Sequence, residues 1–176
     1  MALQARDTAV AGARLLSPDV FADERGFFKE MYATAKYRAL GIPDEFVQDN
    51  VSVSARNVLR GLHGDPENSK LVTVLRGNVW DVIVDVRKGS PTYLAWEGFE
   101  LSADNHAQLY IPKGCLHGFL TLTDDVVFIY KNSALYDPQR EFAHRWNDPT
   151  LAIPWPLTSD PIVSPKDAAA PLYPSP

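Results

Sequence analysis

The sequence has a single cysteine, Cys115, so no disulfide can form within the chain. With four histidines beside that cysteine, a Cys-rich structural zinc module is excluded as well. No apolar run approaches the ~20 residues needed to cross a bilayer. The N-terminal stretch up to Leu16 also lacks the continuous apolar segment of a signal peptide. We therefore expect a cytoplasmic protein that has no membrane partner.

An excess of positive charge is also missing. The chain has 17 Lys and Arg against 22 Asp and Glu, which gives a formal net charge of −5 at pH 7. No overall positive field would attract nucleic acid, although a local basic pocket for one small anion stays compatible with this balance. The length of 176 residues and the 45% hydrophobic content predict one domain over residues 1–176.

Helical patterns are scarce, and Ala33–Leu40 is the best candidate because Gly41 and Pro43 would end a helix there. The middle of the chain instead shows short β-branched runs between turns, which predict an antiparallel sandwich or barrel. A hairpin is predicted at Arg76–Asn78, and irregular coil from Asn147 onward, where eight of the 14 prolines lie. The predicted strands span residues 51–58, 71–75, 79–86, 92–101, 107–112, 118–122 and 126–132.

The segment Arg60–Asp65 (RGLHGD) could place a basic histidine beside an anion-binding arginine. On a regular strand Arg60 and His63 would face opposite sides, because side chains alternate. Gly61 predicts a bulge that would turn the two side chains toward one face. The spacing alone leaves two interpretations open, a catalytic histidine and a surface histidine at the start of a loop.

The segment Ile111–Phe119 (IPKGCLHGF) resembles the second half of the motif of cupins, which are small β-barrels that often hold a metal. In metal-binding cupins the first half supplies His-x-His and a glutamate, whereas here it supplies only His63. We therefore predict a barrel without a bound metal. His117 could belong to the site or be a satisfied wall residue, and Tyr130 could be an acid or a core residue with an exposed hydroxyl.

The order of sequence blocks along the whole chain resembles the dTDP-4-dehydrorhamnose 3,5-epimerase family. The resemblance implies an all-β, cupin-type antiparallel barrel (jelly roll) with a few short helices. It also implies a nucleotide-linked 4-keto-6-deoxy sugar substrate, with dTDP preferred, inversion at C3, C5 or both, no cofactor, and a homodimer that exchanges N-terminal strands. The blocks are DERGFFKE (23–30), FVQDN (46–50), VLRGLH (58–63), KLV (70–72), IPKGCLHGF (111–119), IYKNSALYDP (129–138), WNDP (146–149) and SPKDAAAP (164–171).

The resemblance also implies catalytic roles. His63 would be the base, with Asp167 as the carboxylate that orients it. Tyr130 would be the acid, and Lys70 and His117 would stabilise the enolate oxygen. Tyr136 would stack on the thymine ring. The positions expected to bind the nucleotide, the diphosphate or the sugar are Arg25, Phe28, Glu30, Gln48, Asn50, Arg60, His117, Tyr136, Glu141 and Lys166.

One loop departs from the family pattern. Residues 64–69 (GDPENS) are shorter than the usual loop and lack the aromatic residue and glutamine that commonly follow the histidine. A substrate linked to another nucleotide, such as GDP, and an epimerase that acts at C3 alone therefore stay open. A non-catalytic sugar-binding cupin, a sugar 3,4-ketoisomerase and a metal-dependent dioxygenase are the other interpretations.

Overall fold

The computed structural model describes residues 2–174, and within them 13 β-strands and two short helices form. The helices are α1 (Thr34–Ala39) and α2 (Pro165–Ala168). The strands are β1 (Leu3–Asp7), β2 (Arg14–Pro18), β3 (Val20–Asp23), β4 (Gly26–Lys29), β5 (Gln48–Ser54), β6 (Leu59–Gly64), β7 (Lys70–Arg76), β8 (Asn78–Val84), β9 (Trp96–Ser102), β10 (Gln108–Ile111), β11 (Leu116–Thr121), β12 (Val126–Asn132) and β13 (Phe142–Ala143).

Two antiparallel sheets enclose the main core. The six-stranded sheet has the order β1-β2-β10-β7-β12-β5, and the five-stranded sheet has the order β13-β6-β11-β8-β9. Inward side chains of both sheets pack together, such as Val72 and Phe128 from the first and Ile83 and Phe119 from the second. This arrangement confirms the predicted all-β, cupin-type fold. Strands β3 and β4 form a separate two-stranded sheet.

The predicted hairpin at Arg76–Asn78 is wrong. Strands β7 and β8 follow each other closely but belong to different sheets. The chain crosses between the sheets at Gly77, whose φ is +77° and whose added Cβ would lie 2.5 Å from Thr123 Oγ1. A tight glycine turn serves a hairpin and a sheet crossing equally well, so the local pattern could not separate them.

The segment predicted as coil covers the outer face of the five-stranded sheet. Leu151, Ile153 and Trp155 are buried there against side chains such as Val82 and Leu120. The short helix α2 is an exception to the coil prediction. It starts after Ser164, whose hydroxyl accepts a hydrogen bond from the Asp167 N–H. This cap fixes Asp167 at one end of the five-stranded sheet.

The predicted helix at Ala33–Leu40 forms as α1. Its buried residue Tyr37 packs with Leu16 and Leu71 on the outer side of the six-stranded sheet. Neither helix in residues 2–174 has the length and apolar character of a membrane span.

Candidate active site

A cavity of about 510 Å³ opens between the two sheets, within the usual range for small-molecule sites. Its wall combines the inward faces of β5, β6, β7, β11 and β12 with parts of the segments 134–141 and 162–167. All four predicted catalytic residues and seven of the ten predicted binding residues line it. They are His63, Lys70, Tyr130, Asp167, Gln48, Asn50, Arg60, His117, Tyr136, Glu141 and Lys166.

The pairing of His63 with Asp167 is the central contact of the cavity. His63 Nε2 lies 2.6 Å from Asp167 Oδ1, and Asp167 is only 4% exposed. An ionised carboxylate only accepts hydrogen bonds, so Nε2 donates and the lone pair stays on Nδ1. The capped helix α2 thus holds the imidazole in the tautomer that a general base requires.

The bulge predicted at Gly61 is present. His63 pairs with His117 while Arg60 pairs with Phe119, so two residues on β6 oppose one on β11. The extra residue turns Arg60 and His63 into the same cavity. Gly61 has φ +129°, and an added Cβ would lie 2.6 Å from Gly118 Cα. A larger residue at position 61 would therefore disturb the alignment of the base.

A second imidazole, that of His117, is deeply buried beside Asp81. His117 Nε2 lies 2.9 Å from Asp81 Oδ2, and Asp81 has no solvent exposure. Burial lowers the pKa of His117 and raises the pKa of Asp81, while their hydrogen bond opposes both changes. Sequence reasoning missed Asp81, although an acidic residue at an inward position of an apolar strand was an available signal.

Lys70 and Tyr130 stand on adjacent strands of the six-stranded sheet. Lys70 begins β7 and pairs with Asn132, and Tyr130 pairs with Val72 of the same strand. Burial lowers the pKa of Lys70, and the negative charges of Glu141, Asp81 and Asp65 act against this shift. A buried ammonium group is well suited to stabilise an oxygen on which negative charge develops.

An ion pair and an exposed ring stand on the wall of the cavity nearest the C-terminal segment. The Glu141 carboxylate accepts a hydrogen bond from Lys166, which raises the pKa of the lysine. Tyr136 is 62% exposed, and its N–H donates to Gln48 Oε1 at 3.0 Å. Such an exposed aromatic face beside polar groups can stack on a planar base.

Three predicted binding residues lie outside this cavity. Arg25 stands in the turn between β3 and β4 and pairs with Asp23. Phe28 on β4 is 63% exposed, and Glu30 pairs with Lys36 at 2.7 Å. The β3–β4 sheet therefore contributes none of its side chains to the cavity of its own chain.

No group of three His, Cys, Asp or Glu side chains in residues 2–174 is placed to hold a metal ion. The cavity wall does include polar residues that sequence reasoning missed. Asn132 could have been found from its inward position on β12, two residues after Tyr130. The others, which carry no sequence signal of this kind, are Ser52, Asp65, Asn68 and Ser164.

The fold and the cavity place the chain in the class of cupin-type proteins whose cavity contains a hydrogen-bonded His–Asp pair. Residues 7–174 match the family described as dTDP-4-dehydrorhamnose 3,5-epimerase. The chain therefore belongs to this family.

Individual relatives agree with that assignment. The dTDP-4-dehydrorhamnose 3,5-epimerase of Salmonella typhimurium is 48% identical over 169 residues, which cover 94% of this chain and 92% of the relative. The crystal structure of the Legionella pneumophila 3,5-epimerase in complex with dTDP-4-keto-L-rhamnose superposes with a TM-score of 0.94 at 46% identity, covering 97% of this chain and 93% of that one. A 3'-monoepimerase of Streptomyces bikiniensis in complex with dTDP-quinovose has a TM-score of 0.88 at 35% identity, covering 94% and 85%.

Proposed function

We propose that this chain is an epimerase that inverts C3 and C5 of a dTDP-linked 4-keto-6-deoxy sugar without a metal or organic cofactor. The observation that carries the proposal is the His63–Asp167 pair, which faces a cavity that also holds Lys70 and Tyr130. The Legionella pneumophila relative binds dTDP-4-keto-L-rhamnose, which supports the dTDP-sugar as substrate.

The proposed reaction uses the acidity of the protons next to the C4 ketone. His63 Nδ1 removes the proton from C3 or C5, and the electron pair moves into the C4 carbonyl to form an enolate. Lys70 and His117 hold the resulting oxygen by charge and hydrogen bonding. Tyr130 then returns a proton to the opposite face of the same carbon, which inverts the centre. Asp167 stabilises the imidazolium in the interval.

Substitution of the base tests this proposal. His63→Asn keeps a side chain of similar polarity but cannot accept the proton, so we expect loss of both inversion and deuterium uptake at C3 and C5. The measurement is NMR of the dTDP-linked 4-keto-6-deoxy sugar incubated with protein in D₂O. His144→Asn is the matched control, since the His144 side chain lies outside the cavity and packs against Tyr173. Parental deuterium uptake in His63→Asn would show that another group is the base.

A C3-only epimerase is the second candidate, because the monoepimerase of Streptomyces bikiniensis has the same fold. The relatives with higher identity are 3,5-epimerases, and this favours inversion at both centres. Deuterium at C3 alone in the experiment above would establish the second candidate. Uptake from a GDP-linked sugar but not from the dTDP-linked sugar would reassign the nucleotide, and a sugar-binding protein would show no uptake.

We also propose that the protein is a homodimer in which the β3–β4 sheet of one chain supplies Arg25, Phe28 and Glu30 to the cavity of its partner. Two features of the chain support this arrangement. The three residues lie outside their own cavity, and Phe27 and Phe28 on β4 are 58% and 63% exposed. Large apolar side chains exposed next to each other are typical of interaction surfaces.

Mixing of two inactive variants tests the exchange. Arg25→Ala should weaken substrate binding, and His63→Asn should abolish proton abstraction. In a mixed dimer, the His63→Asn chain would provide an intact Arg25 to the intact His63 of its partner. We therefore expect activity to return after subunit exchange of the two variants. If light scattering shows a monomer, or if the mixture stays inactive despite verified exchange, the proposal is wrong.

A further inference from the structure

Two asparagines on the cavity wall form a hydrogen-bond relay with a fixed direction. The backbone N–H of Ala134 donates to Asn68 Oδ1 at 3.2 Å. Asn68 Nδ2 then donates to Asn132 Oδ1 at 2.9 Å. A backbone N–H can only donate, so Asn68 must present its oxygen to it and its amino group to Asn132. Asn132 must in turn present its oxygen, and its own amino group is left over.

The amino group of Asn132 has no acceptor among the residues that the structure describes. Asn132 is only 4% exposed and lines the cavity, and within residues 2–174 its Nδ2 has no hydrogen-bond partner. A buried donor without a partner is destabilising, and buried polar groups are therefore nearly always bonded. The residue lies on the inward side of β12, two positions after Tyr130 and directly across from Lys70 on β7. The site of the proposed chemistry is therefore next to the free donor.

A second relay of hydrogen bonds also ends at the side-chain amino group of an asparagine. The N–H of Tyr136 donates to Gln48 Oε1 at 3.0 Å, and Gln48 Nε2 donates to Asn50 Oδ1 at 3.0 Å. By the same reasoning Asn50 is left with its amino group. Both relays begin at the chain segment 134–136 and end on β12 and β5, where Asn132 and Asn50 each stand across from an inward residue of the neighbouring strand. This wall offers donors, together with the Lys70 ammonium group, and suits a ligand rich in acceptor oxygens.

We propose that Asn132 is a substrate-binding residue that donates a hydrogen bond to an oxygen of the bound nucleotide sugar, and that Asn68 is the residue that positions it. The inference rests on the proposed function for the identity of the ligand. The acceptor is a phosphate oxygen or a sugar oxygen, since both kinds are present in a dTDP-sugar.

Binding of unreactive ligands tests the role of Asn132 separately from catalysis. We expect Asn132→Ala to raise the dissociation constant for dTDP-glucose about tenfold, the usual effect of one lost hydrogen bond to a buried donor. An equal loss for dTDP alone would place the acceptor on the diphosphate, and a loss for dTDP-glucose only would place it on the sugar. Unchanged affinity for both ligands would overturn the inference. A parent protein that binds neither ligand would instead overturn the proposed function.

A control variant and NMR spectroscopy distinguish ligand binding by Asn132 from a purely structural role of this residue. Asn105 orders a turn outside the cavity through its Oδ1, so Asn105→Ala should lower the unfolding temperature without changing dTDP-glucose affinity. In a ¹⁵N-labelled protein, the Asn132 side-chain NH₂ signals are assigned by their absence in Asn132→Ala. They should shift when dTDP-glucose is added to the parent. Signals that stay in place at saturation would contradict a contact with the ligand.

The positioning role of Asn68 is tested by a double-mutant cycle. Aspartate at position 68 can accept from the Ala134 N–H but cannot donate, so Asn132 must turn its amino group toward it and its oxygen toward the ligand. Asn68→Asp should therefore weaken dTDP-glucose binding more in the parent than in Asn132→Ala, where only the repulsion between the new carboxylate and the diphosphate remains. An equal loss in both backgrounds would show that Asn68 does not act through Asn132.

Discussion

The contact between Gly64 and Phe142 gives a quantitative prediction about the cavity wall. Gly64 is buried directly after His63, and Phe142 pairs with it across β6 and β13. A Cβ at position 64 would lie 2.3, 2.5 and 2.9 Å from three ring carbons of Phe142. Carbon atoms normally approach to about 3.5–4.0 Å. The ring must therefore move by about 1 Å in Gly64→Ala.

We expect Gly64→Ala to cost about 1–3 kcal/mol of unfolding free energy, the usual range for overpacking. The ring belongs to β13, whose neighbour Glu141 pairs with Lys166 at the cavity. The same substitution should therefore also weaken binding of dTDP. Urea unfolding and calorimetric titration with dTDP measure the two effects.

A compensating substitution makes this reasoning testable. Phe142→Leu removes the part of the ring that the new Cβ would contact, so the double variant Gly64→Ala, Phe142→Leu should recover stability. Residues in contact typically show coupling energies of about 0.5–3 kcal/mol in such a cycle. The reasoning is refuted if Gly64→Ala is as stable as the parent, or if the two costs simply add.

Four further predictions address the chemistry and the acid stability. The Tyr130→Phe variant should still exchange substrate protons with D₂O through His63, but it should invert the sugar slower by about two orders of magnitude or more. NMR of the product stereochemistry measures this, and inversion at the parental rate would make Tyr130 a wall residue. Asp167→Asn should be impaired less completely than His63→Asn in deuterium uptake, since it disturbs the orientation of the base without removing it. Activity should survive extensive EDTA treatment, and a loss restored by one divalent ion would contradict this. Burial alone would raise the pKa of Asp85, but hydrogen bonds from Arg87 and two hydroxyl groups outweigh it and hold the pKa below its usual value. The ionised Asp85 carboxylate therefore stabilises the fold above its unfolded-state pKa, and this stabilisation is lost as the pH falls below about 4. In urea unfolding, the stability of Asp85→Asn should accordingly depend less on acid pH than that of the parent.

The predicted strands were those with dense β-branched runs, and each of the seven predicted segments overlaps an observed strand. The strands that sequence reasoning missed lack this signal. Strand β6 contains two glycines, and β3 and β4 are mostly exposed, so neither shows an apolar alternation. Strand β13 has two residues and exists through its pairing with β6. Contacts distant in sequence determine β6 and β13, whereas β3 and β4 pair locally with each other.

The candidate site could be predicted only where a motif or the resemblance named its residues. His63 and Asp167 are 104 positions apart, and nothing in their spacing predicts the contact between them. The relay through Asn68 and Asn132 was equally invisible, because the Ala134 N–H orients the Asn68 amide and Asn68 in turn orients Asn132. Amide direction is a property of the folded network, and composition and periodicity do not contain it.

Burial explains how two neighbouring histidines suit the different roles proposed for them. His63 and His117 stand directly across from each other on β6 and β11, and each is hydrogen-bonded to an aspartate. The His63 side chain is 25% exposed, so solvent can help to stabilise the imidazolium that forms when it takes a proton. The His117 side chain is 8% exposed beside a fully buried Asp81, where burial and the nearby positive charges of Lys70 and His63 oppose protonation. A proton gained by His63 therefore makes a second proton on His117 still less favourable. A neutral His117 can donate to the enolate oxygen from Nδ1–H when Nε2 accepts from the protonated carboxyl group of Asp81, the form that burial favours by raising the pKa of Asp81.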